Sequence, residues 1–585
     1  MESSYTGKLI YRKLLSTLFV KDKHGILLSL LIIIVVSLIG IRELFLPGFF
    51  DTHDGFTHIM RLAHFDMALN NGQFPVRWLP TWMAGYGSPV FNFNYSFPYY
   101  IGSLFHSLGL PYETAIEAVL AVGYLFSGIF LYLFLKELLQ DNLTATVGAI
   151  LYVWAPYRFT DIFIRGALGE ATSFLFFPLL FWLMIKAYKS QQKSHLQWTG
   201  IIWGLCILNH NIMSLIGSGL FFTYILYIQL TEKINYRFLK DAILAFIIGL
   251  GLSAFFWIPS ILESKYTNIL NAYHFDNGYP SLMSILYSKW QYGFATPSSQ
   301  GGSMSFQLGL VHLAVPIFFL LVFLKAKHGN KHDLIAHGLF FLTVFLISVF
   351  LIIGPSSIIY NHLSFLKFVI FPWRFLEIAT LSTSILAAIF VFLMAKFKVV
   401  ASLSLIILAV LLYWPYSTII TSRFSLTDDV YSSMTNTNTG LLPETEFAPV
   451  GESYFQLLQL VKDRGPASFN PFFEDDTTRS KIENIQNKNL LHTANIVTSQ
   501  PVEIRANTFY FPGWRLYIDD QESAINKDKY GLIKFTIQPS NHNIRLVFKN
   551  TLIRTVANTI SIVTFLLFLL LLFKVKIKNI IKIYD

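Results

Sequence analysis

Cysteine is almost absent from this 585-residue chain: Cys206 is the sole example, inside an apolar run. That excludes both an intrachain disulfide and a cysteine-based zinc site, and the thiol reads as a small core residue. Charge is scarce as well. Only 13% of residues are charged against 54% hydrophobic, and mean hydropathy is +0.52, whereas soluble domains carry about 25% charged residues. No small-residue cleavage pattern precedes Asp51, so the charged N-terminal region and first apolar run read as a retained signal anchor. Repeats of solenoid length and extended low-complexity segments are missing too.

What the chain has instead is a series of long apolar runs. They cover residues 26–46, 114–135, 143–157, 171–185, 199–208, 212–230, 242–262, 308–324, 334–354, 368–395, 401–420 and 552–573. These predict about 12 membrane helices, some short or kinked at proline. The net charge of +10 does not imply nucleic acid, because the basic residues fall between apolar runs rather than along one soluble face. Lys8, Arg12, Lys13, Lys21 and Lys23 precede the first run. Lys186, Lys189 and Lys193 follow the fourth, Lys325, Lys327 and Lys331 the eighth, and Lys574, Lys576, Lys578 and Lys582 the last. By the positive-inside rule these mark the cytoplasmic side. The expectation is a multi-pass cell-membrane protein with both termini cytoplasmic and residues 47–112, 263–307 and 421–550 outside.

The expected organisation is a transmembrane domain over 1–420 with outer loops 47–112 and 263–307, an extracytoplasmic β-rich domain over 421–550, and a final helix with a basic tail over 551–585. The fold class is thus mainly α, polytopic, with a sandwich-like C-terminal domain. Ile533, Phe535, Ile537 and then Ile544, Leu546, Phe548 alternate with polar residues around Pro539-Ser540-Asn541-His542-Asn543, which predicts antiparallel strands joined by polar turns. Residues 431–450 read as a linking or surface loop. In the first outer loop, aromatics mix with proline and glycine, which suits short helices lying on a membrane surface. The apolar stretch Ile101 to Leu110 is short for a crossing.

Chemistry is concentrated just after the first apolar run, in Asp51-Thr52-His53-Asp54-Gly55-Phe56-Thr57-His58. Ionisable groups at a bilayer surface are costly unless solvated or paired, so such a cluster invites a functional reading. On a helix, Asp51, Asp54, His58 and Arg61 would share one face. The ordinary alternative makes Asp51 an N-cap and Asp54 a first-turn acid favoured by the helix dipole. A divalent cation held by Asp51, Asp54 and His58 is a further alternative, although no second acid pair completes a shell.

Three other polar groups interrupt apolar sequence. Asp161 and Arg165 are four apart and can pair on a helix, with Glu170 following; Arg165 could equally bind an anionic oxygen that Glu170 positions. Asn209-His210-Asn211 is either a turn between two spans or a buried polar site. Arg374 either snorkels beside Trp373 or points inward to a phosphate, for which its forked donors suit it, with Glu377 near enough to neutralise it.

Several pieces together resemble a known family: Asp54-Gly55-Phe56-Thr57-His58, Gly72-Gln73-Phe74-Pro75-Val76-Arg77-Trp78, Gly85-Tyr86-Gly87-Ser88-Pro89, Arg165-Gly166-Ala167-Leu168-Gly169-Glu170, His210-Asn211, Phe306-Gln307-Leu308-Gly309 and Phe371-Pro372-Trp373-Arg374-Phe375. The chain resembles YfhO-like membrane proteins and the related "6-pyruvoyl-tetrahydropterin synthase-related" domain, within the GT-C superfamily of membrane glycosyltransferases. Phe511-Pro512-Gly513-Trp514-Arg515-Leu516-Tyr517-Ile518 is similar to the YfhO-type outer domain. The synthase label does not describe a reaction here, since a soluble pterin enzyme needs a zinc-binding histidine set. The resemblance implies transfer of a sugar from a polyprenyl-phosphate carrier to an extracytoplasmic glycan, lipid or protein. It implies Asp54 as general base with Asp51 as its rival, His53, His58 and Glu170 as base-polarising or acceptor-binding groups, and Arg165, His210 and Arg374 around the departing phosphate. One base without a nucleophilic carboxylate implies inversion. Rival readings are a lipid or polysaccharide transporter and a non-catalytic partner of another glycosyltransferase.

Overall fold

The structure, a computed structural model, describes residues 23–190, 193–231, 234–269, 278–293, 302–325, 332–434, 447 and 454–584. The basic residues Lys8, Arg12, Lys13, Lys21, Lys327 and Lys331, and most of the 431–450 linker, lie outside the described residues.

Apolar runs become helices because a segment that buries or exposes apolar side chains to lipid must satisfy its own backbone hydrogen bonds. Eight helices among the described residues are long and apolar enough to cross a membrane, or nine if the bent pair Tyr236–Leu252 and Ala254–Leu262 is one span. This is fewer than the 12 apolar runs. The shortfall has a physical cause: Asn142–Val153 and Leu310–Lys325 are apolar but short, and Lys193–Asn209 begins with a polar turn. The bent pair turns by 69° at Ser253, whose Oγ donates back to Gly249 O at 2.8 Å, a known cause of helix kinks.

One helix organises the bundle. Every residue from Phe375 to Val391 is buried, including Glu377, Thr380, Thr383 and Ser384, so this helix is enclosed by its neighbours on all sides. By contrast Leu552–Tyr584 exposes Val556, Ile562, Phe565 and Leu570, the face that lipid would cover. Helices Lys193–Asn209 and Tyr236–Leu252 approach closely through glycines: a Cβ at Gly200 would lie 2.8 Å from Ala245 O, and one at Gly249 would lie 2.8 Å from Gly200 O.

The first outer loop is ordered by a helix, Gly55–Asn70, and two shorter ones, Val90–Phe93 and Phe97–Ser107. Phe49–Phe50 pairs antiparallel with Arg423–Phe424, tying the start of this loop to the segment that leaves the bundle. Glu113 extends the tie, accepting from Leu426 N at 2.7 Å and Tyr431 OH at 2.6 Å. Residues 421–434 therefore belong with the loop, and the β-domain's sheets begin only at Phe473.

That domain has two antiparallel sheets. One runs Phe473–Glu474, Val502–Phe509, Leu532–Ile537, Asn526–Lys527; the other runs Ser480–Lys488, Leu491–Thr498, Ser540–Phe548, Trp514–Ile518, Gln521–Ser523. Ile533, Phe535, Ile537, Ile544 and Leu546 are buried as their alternation predicts. The two strands nevertheless do not pair with each other. Leu532–Ile537 pairs with Val502–Phe509 in one sheet, while Ser540–Phe548 pairs with Leu491–Thr498 and Trp514–Ile518 in the other. Pro539 sits at the crossover, where a residue without an N–H could not continue a ladder.

The domain is docked on the first outer loop. Phe509 N donates to Tyr86 O and Ala467 N to Ala84 O, both at 2.8 Å. Trp78, fully buried, has its ring 6.2 Å from Phe511, 5.8 Å from Trp514 and 5.4 Å from Phe548. Gly87 is required there: its φ is +86° and a Cβ would collide with the Trp78 ring. Beneath lies a buried polar hub. Arg554 Nε donates to Glu263 at 2.9 Å and its Nη2 to Pro512 O at 2.8 Å. Asn92 donates to the same Glu263 oxygen at 2.9 Å, and Arg77 binds Asn92 and Asn558, each at 3.0 Å.

Candidate active site

Asp51 and Asp54 do not share a helical face with His58 and Arg61. The helix starts at Gly55, so the two acids precede it, Asp54 at its N-cap position. Asp51 is exposed, its N–H donating to Ser422 O at 3.0 Å and its carbonyl accepting from Thr421 Oγ1 at 2.7 Å. Asp54 holds the N-cap position without capping through its side chain; instead Thr52 Oγ1 accepts from Gly55 N at 2.9 Å. The Asp54 carboxylate thus makes no hydrogen bond among the described residues, and it is only half-buried.

Backbone pairing brings this acid to the Arg165-Gly166 loop. His53 N donates to Ile164 O at 3.0 Å and Asp54 N to Arg165 O at 2.8 Å. The approach is close enough to demand glycine. At Gly166, with φ of +64°, a Cβ would collide with Thr52 Oγ1 and come within 3.0 Å of Gly55 N. Arg165 ends a π-helical turn, Thr160–Arg165, a local widening often associated with functional sites.

Arg165, Glu170, His210 and Arg374, distant in sequence, converge. Glu170 Oε2 accepts from Arg165 Nη1 at 2.7 Å and Arg374 Nε at 3.0 Å, and Tyr157 OH donates to Oε1 at 2.5 Å. Arg165 also pairs with Asp161 at 2.6 Å, the four-residue spacing read from the sequence. Arg374 points inward, and its Nη1 donates to Val369 O at 2.7 Å. The acid that neutralises it is Glu170, not Glu377, which accepts from Ser173 Oγ at 2.7 Å. All of Arg165's contacts run through Nη1, and Arg374 uses Nε and Nη1. Arg165 Nη2 and Nε and Arg374 Nη2 therefore have no hydrogen-bond partner among the described residues.

His210 forms the turn between Lys193–Asn209 and Asn211–Thr231 and is buried there. Its Nδ1 accepts from Met213 N at 3.1 Å, which leaves Nε2 to carry the ring proton as a donor. Asn209 ties the turn to the arginine loop by donating to Gly169 O at 2.9 Å. The His210 ring lies 5.0 Å from Tyr95, whose hydroxyl accepts from Gly169 N at 3.2 Å.

The remaining histidines frame the acid. His53 Nε2–H donates to Gly293 O at 2.8 Å and Tyr292 O at 3.1 Å, bringing the second outer loop onto the first. Burial lowers its pKa from the ordinary 6.5, outweighing the neighbouring Asp54. His58 Nδ1 is 2.7 Å from Tyr99 OH, and that oxygen also accepts from Arg61 at 3.5 Å. Burial and the nearby Arg61 hold His58 well below its usual pKa. Tyr95, Tyr99, Tyr157 and Tyr292 are site residues that the sequence did not single out. Tyr95 and Tyr99 lie in the aromatic-rich first outer loop, while the others carry no spacing signal.

Asp51, Asp54 and His58 do not assemble a cation site. Among the described residues no three His, Cys, Asp or Glu side chains converge to hold a metal, and this trio is divided between the loop after Phe49–Phe50, the helix cap and the helix itself.

Fold and site together define a polytopic helical membrane protein with a C-terminal β-domain and a buried arginine–carboxylate cluster beside a loop acid. A family model described as the 6-pyruvoyl-tetrahydropterin synthase related domain, a membrane protein, matches residues 91–422. The match spans more than half of the chain, which belongs to that family; it includes Arg165, Glu170, His210 and Arg374 and begins after Asp54. An uncharacterised protein of Lactococcus lactis subsp. cremoris is 22% identical over 255 residues, 42% of this chain and 41% of that protein. The chain thus spans about two fifths of that relative's length. Among solved structures, the Archaeoglobus fulgidus oligosaccharyltransferase in its apo form overlays with a TM-score of 0.42 at 14% identity, covering 70% of this chain and 56% of that one. The same enzyme complexed with Zn and sulfate gives 0.39 at 16% identity, covering 70% and 53%.

Proposed function

We propose that this protein is a membrane glycosyltransferase that moves a sugar from a polyprenyl-phosphate donor to an acceptor outside the cytoplasmic membrane. The observation that carries the reading is the backbone pairing of Asp54 with Arg165, which sets a carboxylate without a hydrogen-bond partner beside an arginine whose guanidinium shares Glu170 with Arg374. A lipid-linked donor keeps its chain in the bilayer and its sugar phosphate at headgroup level, where the first outer loop begins.

In this reading Asp54 removes the proton from an acceptor hydroxyl as its oxygen bonds to the anomeric carbon. The bond from that carbon to the phosphate oxygen breaks, and its electron pair leaves with the lipid phosphate. General-base help of this kind is worth about 10²- to 10⁴-fold. Arg165 Nη2 and Arg374 Nη2 are the donors for the departing phosphate, supported by His210 Nε2–H. Glu170 holds the two guanidiniums in place, and His53 joins the second outer loop to the acid. A single base implies inversion at the anomeric carbon. In this reading both termini are cytoplasmic and the site lies on the extracytoplasmic face.

The test compares lipid-linked sugars and envelope glycans by mass spectrometry in cells lacking the protein and in cells carrying Asp54→Asn. Both should accumulate one carrier-linked sugar and lose one modification. Normal glycans with Asp54→Asn at wild-type protein levels would refute the reading and favour a non-catalytic partner.

A further inference from the structure

The arginine–carboxylate cluster is set against the first outer loop at Gly169. The N–H of this residue lies in the first turn of Leu168–Ser173, where backbone donors have no partner within the helix, and the cap residue Ala167 offers no side-chain acceptor. Tyr95, from the first outer loop, supplies one: its hydroxyl oxygen accepts from Gly169 N at 3.2 Å. Asn209 holds the same turn twice, its Nδ2 donating to Gly169 O at 2.9 Å and its Oδ1 accepting from Thr172 Oγ1 at 2.8 Å.

Space at this residue is closed. A Cβ on Gly169 would lie 2.5 Å from the Tyr95 ring and 2.8 Å from His210 Cδ2, so the glycine sits against both rings, which are themselves 5.0 Å apart. Backbone joins the same segments, Ser96 N donating to Leu208 O at 3.2 Å. Tyr95 also stacks on Tyr99 at 5.9 Å, and Tyr99 OH is 2.7 Å from His58 on the helix that follows Asp54. Glu170 is the next residue after Gly169, so a shift of this turn moves the carboxylate that Arg165 and Arg374 share. Misplacing such a group by about 1 Å can cost about 10²-fold in rate.

We infer that Tyr95 is a positioning residue: its hydroxyl fixes Gly169, and through Gly169 the register of Glu170 and His210 against the Asp54 loop. The effect on rate rests on the transfer reading; the fixing of the turn does not. The experiment uses the full chain in lipid nanodiscs and compares Tyr95→Phe, which removes the hydroxyl and keeps the ring, with Tyr132→Phe. The latter removes a buried hydroxyl that donates to Asn142 Oδ1 at 2.9 Å, about 30 Å along the helix from Tyr112. Hydrogen exchange over residues 168–171 should be about fivefold faster in Tyr95→Phe, the worth of one hydrogen bond, and unchanged in Tyr132→Phe. With the lipid-linked sugars extracted from cells lacking the protein, Tyr95→Phe should lower kcat per folded protein about tenfold and leave KM within about twofold, the split expected when alignment in the transition state is lost rather than binding. Unchanged exchange over 168–171, or the same increase in both variants, would overturn the inference whatever the outcome for transfer. Faster exchange with a wild-type kcat would overturn the positioning role and make the hydroxyl a structural contact alone. If the wild type transfers nothing, the transfer reading falls and the exchange result by itself decides whether Tyr95 fixes the turn.

Discussion

Removing the charge of Glu170 tests whether the site's arginines are held by this acid. Glu170 is 1% exposed and its Oε2 faces both Arg165 and Arg374, which are 5% and 8% exposed at the side chain. Breaking a buried ion pair by deleting one partner typically costs about 3–5 kcal/mol, because the other charge is left uncompensated. Arg165 would keep Asp161 at 2.6 Å, so most of the cost falls on Arg374, left among the described residues with the Val369 carbonyl and the Phe371 ring face. Glu170→Gln should therefore lower the thermal unfolding midpoint in detergent by several degrees and abolish transfer. Arg374→Gln should do likewise. The double variant, which removes both stranded charges, should be more stable than the sum of the singles by about 1–3 kcal/mol, a coupling typical of residues in one network. Additivity within about 0.5 kcal/mol, or loss of transfer by Glu170→Gln with an unchanged midpoint, would refute the positioning role and make Glu170 a substrate-binding group instead.

Further tests address other links. Gly166→Ala combines a strained φ of +64° with a collision at Thr52 Oγ1 and should cost more than the roughly 1 kcal/mol of backbone strain alone; Gly72→Ala, at φ +85° with open space around it, should lose only that strain, and melting both variants separates the two effects. Trp78→Ala should cost about 3–5 kcal/mol and loosen the β-domain, read as faster proteolysis between the loop and the domain. His64 is buried and neutral, donating from Nε2 to Met434 O at 2.8 Å and accepting from Thr81 Oγ1 at 2.7 Å, and burial lowers its pKa from 6.5 to about 4. A folded pKa below the unfolded one means that its contribution is complete above pH 6.5 and is lost as pH falls toward 4, by about 3 kcal/mol in all. Melting curves between pH 7.5 and 4.5 should show that loss in the wild type and a flatter profile in His64→Gln.

Much of the helical architecture was legible because apolar run length responds to one strong constraint, the need to satisfy the backbone within each segment. The Asp161–Arg165 pair and the His210 turn were legible for a similar reason, being local in sequence. The partner of Arg374 was not: Glu377 is three residues away but points to Ser173, while Glu170, 204 residues distant, takes the guanidinium. The period-two pattern revealed both late strands but not their separation into two sheets, since alternation reports which face is buried and not which strand is the neighbour. Arg77 stood in a noted motif, yet its link to Arg554 through Asn92 and Glu263 depends on four elements meeting, and no spacing encodes that. Asp54 sat in the most informative octapeptide, although its context is a helix cap paired to the Arg165 loop rather than a helical face.

The most direct test of the central claim is the rate of sugar transfer by purified protein in proteoliposomes supplied with the lipid-linked sugars extracted from cells lacking it. Asp54→Asn should unfold at the wild-type temperature and transfer about 10²- to 10⁴-fold more slowly, while Asp51→Asn retains most of the rate. Transfer by Asp54→Asn within a few-fold of wild type would contradict the assignment of Asp54 as the base.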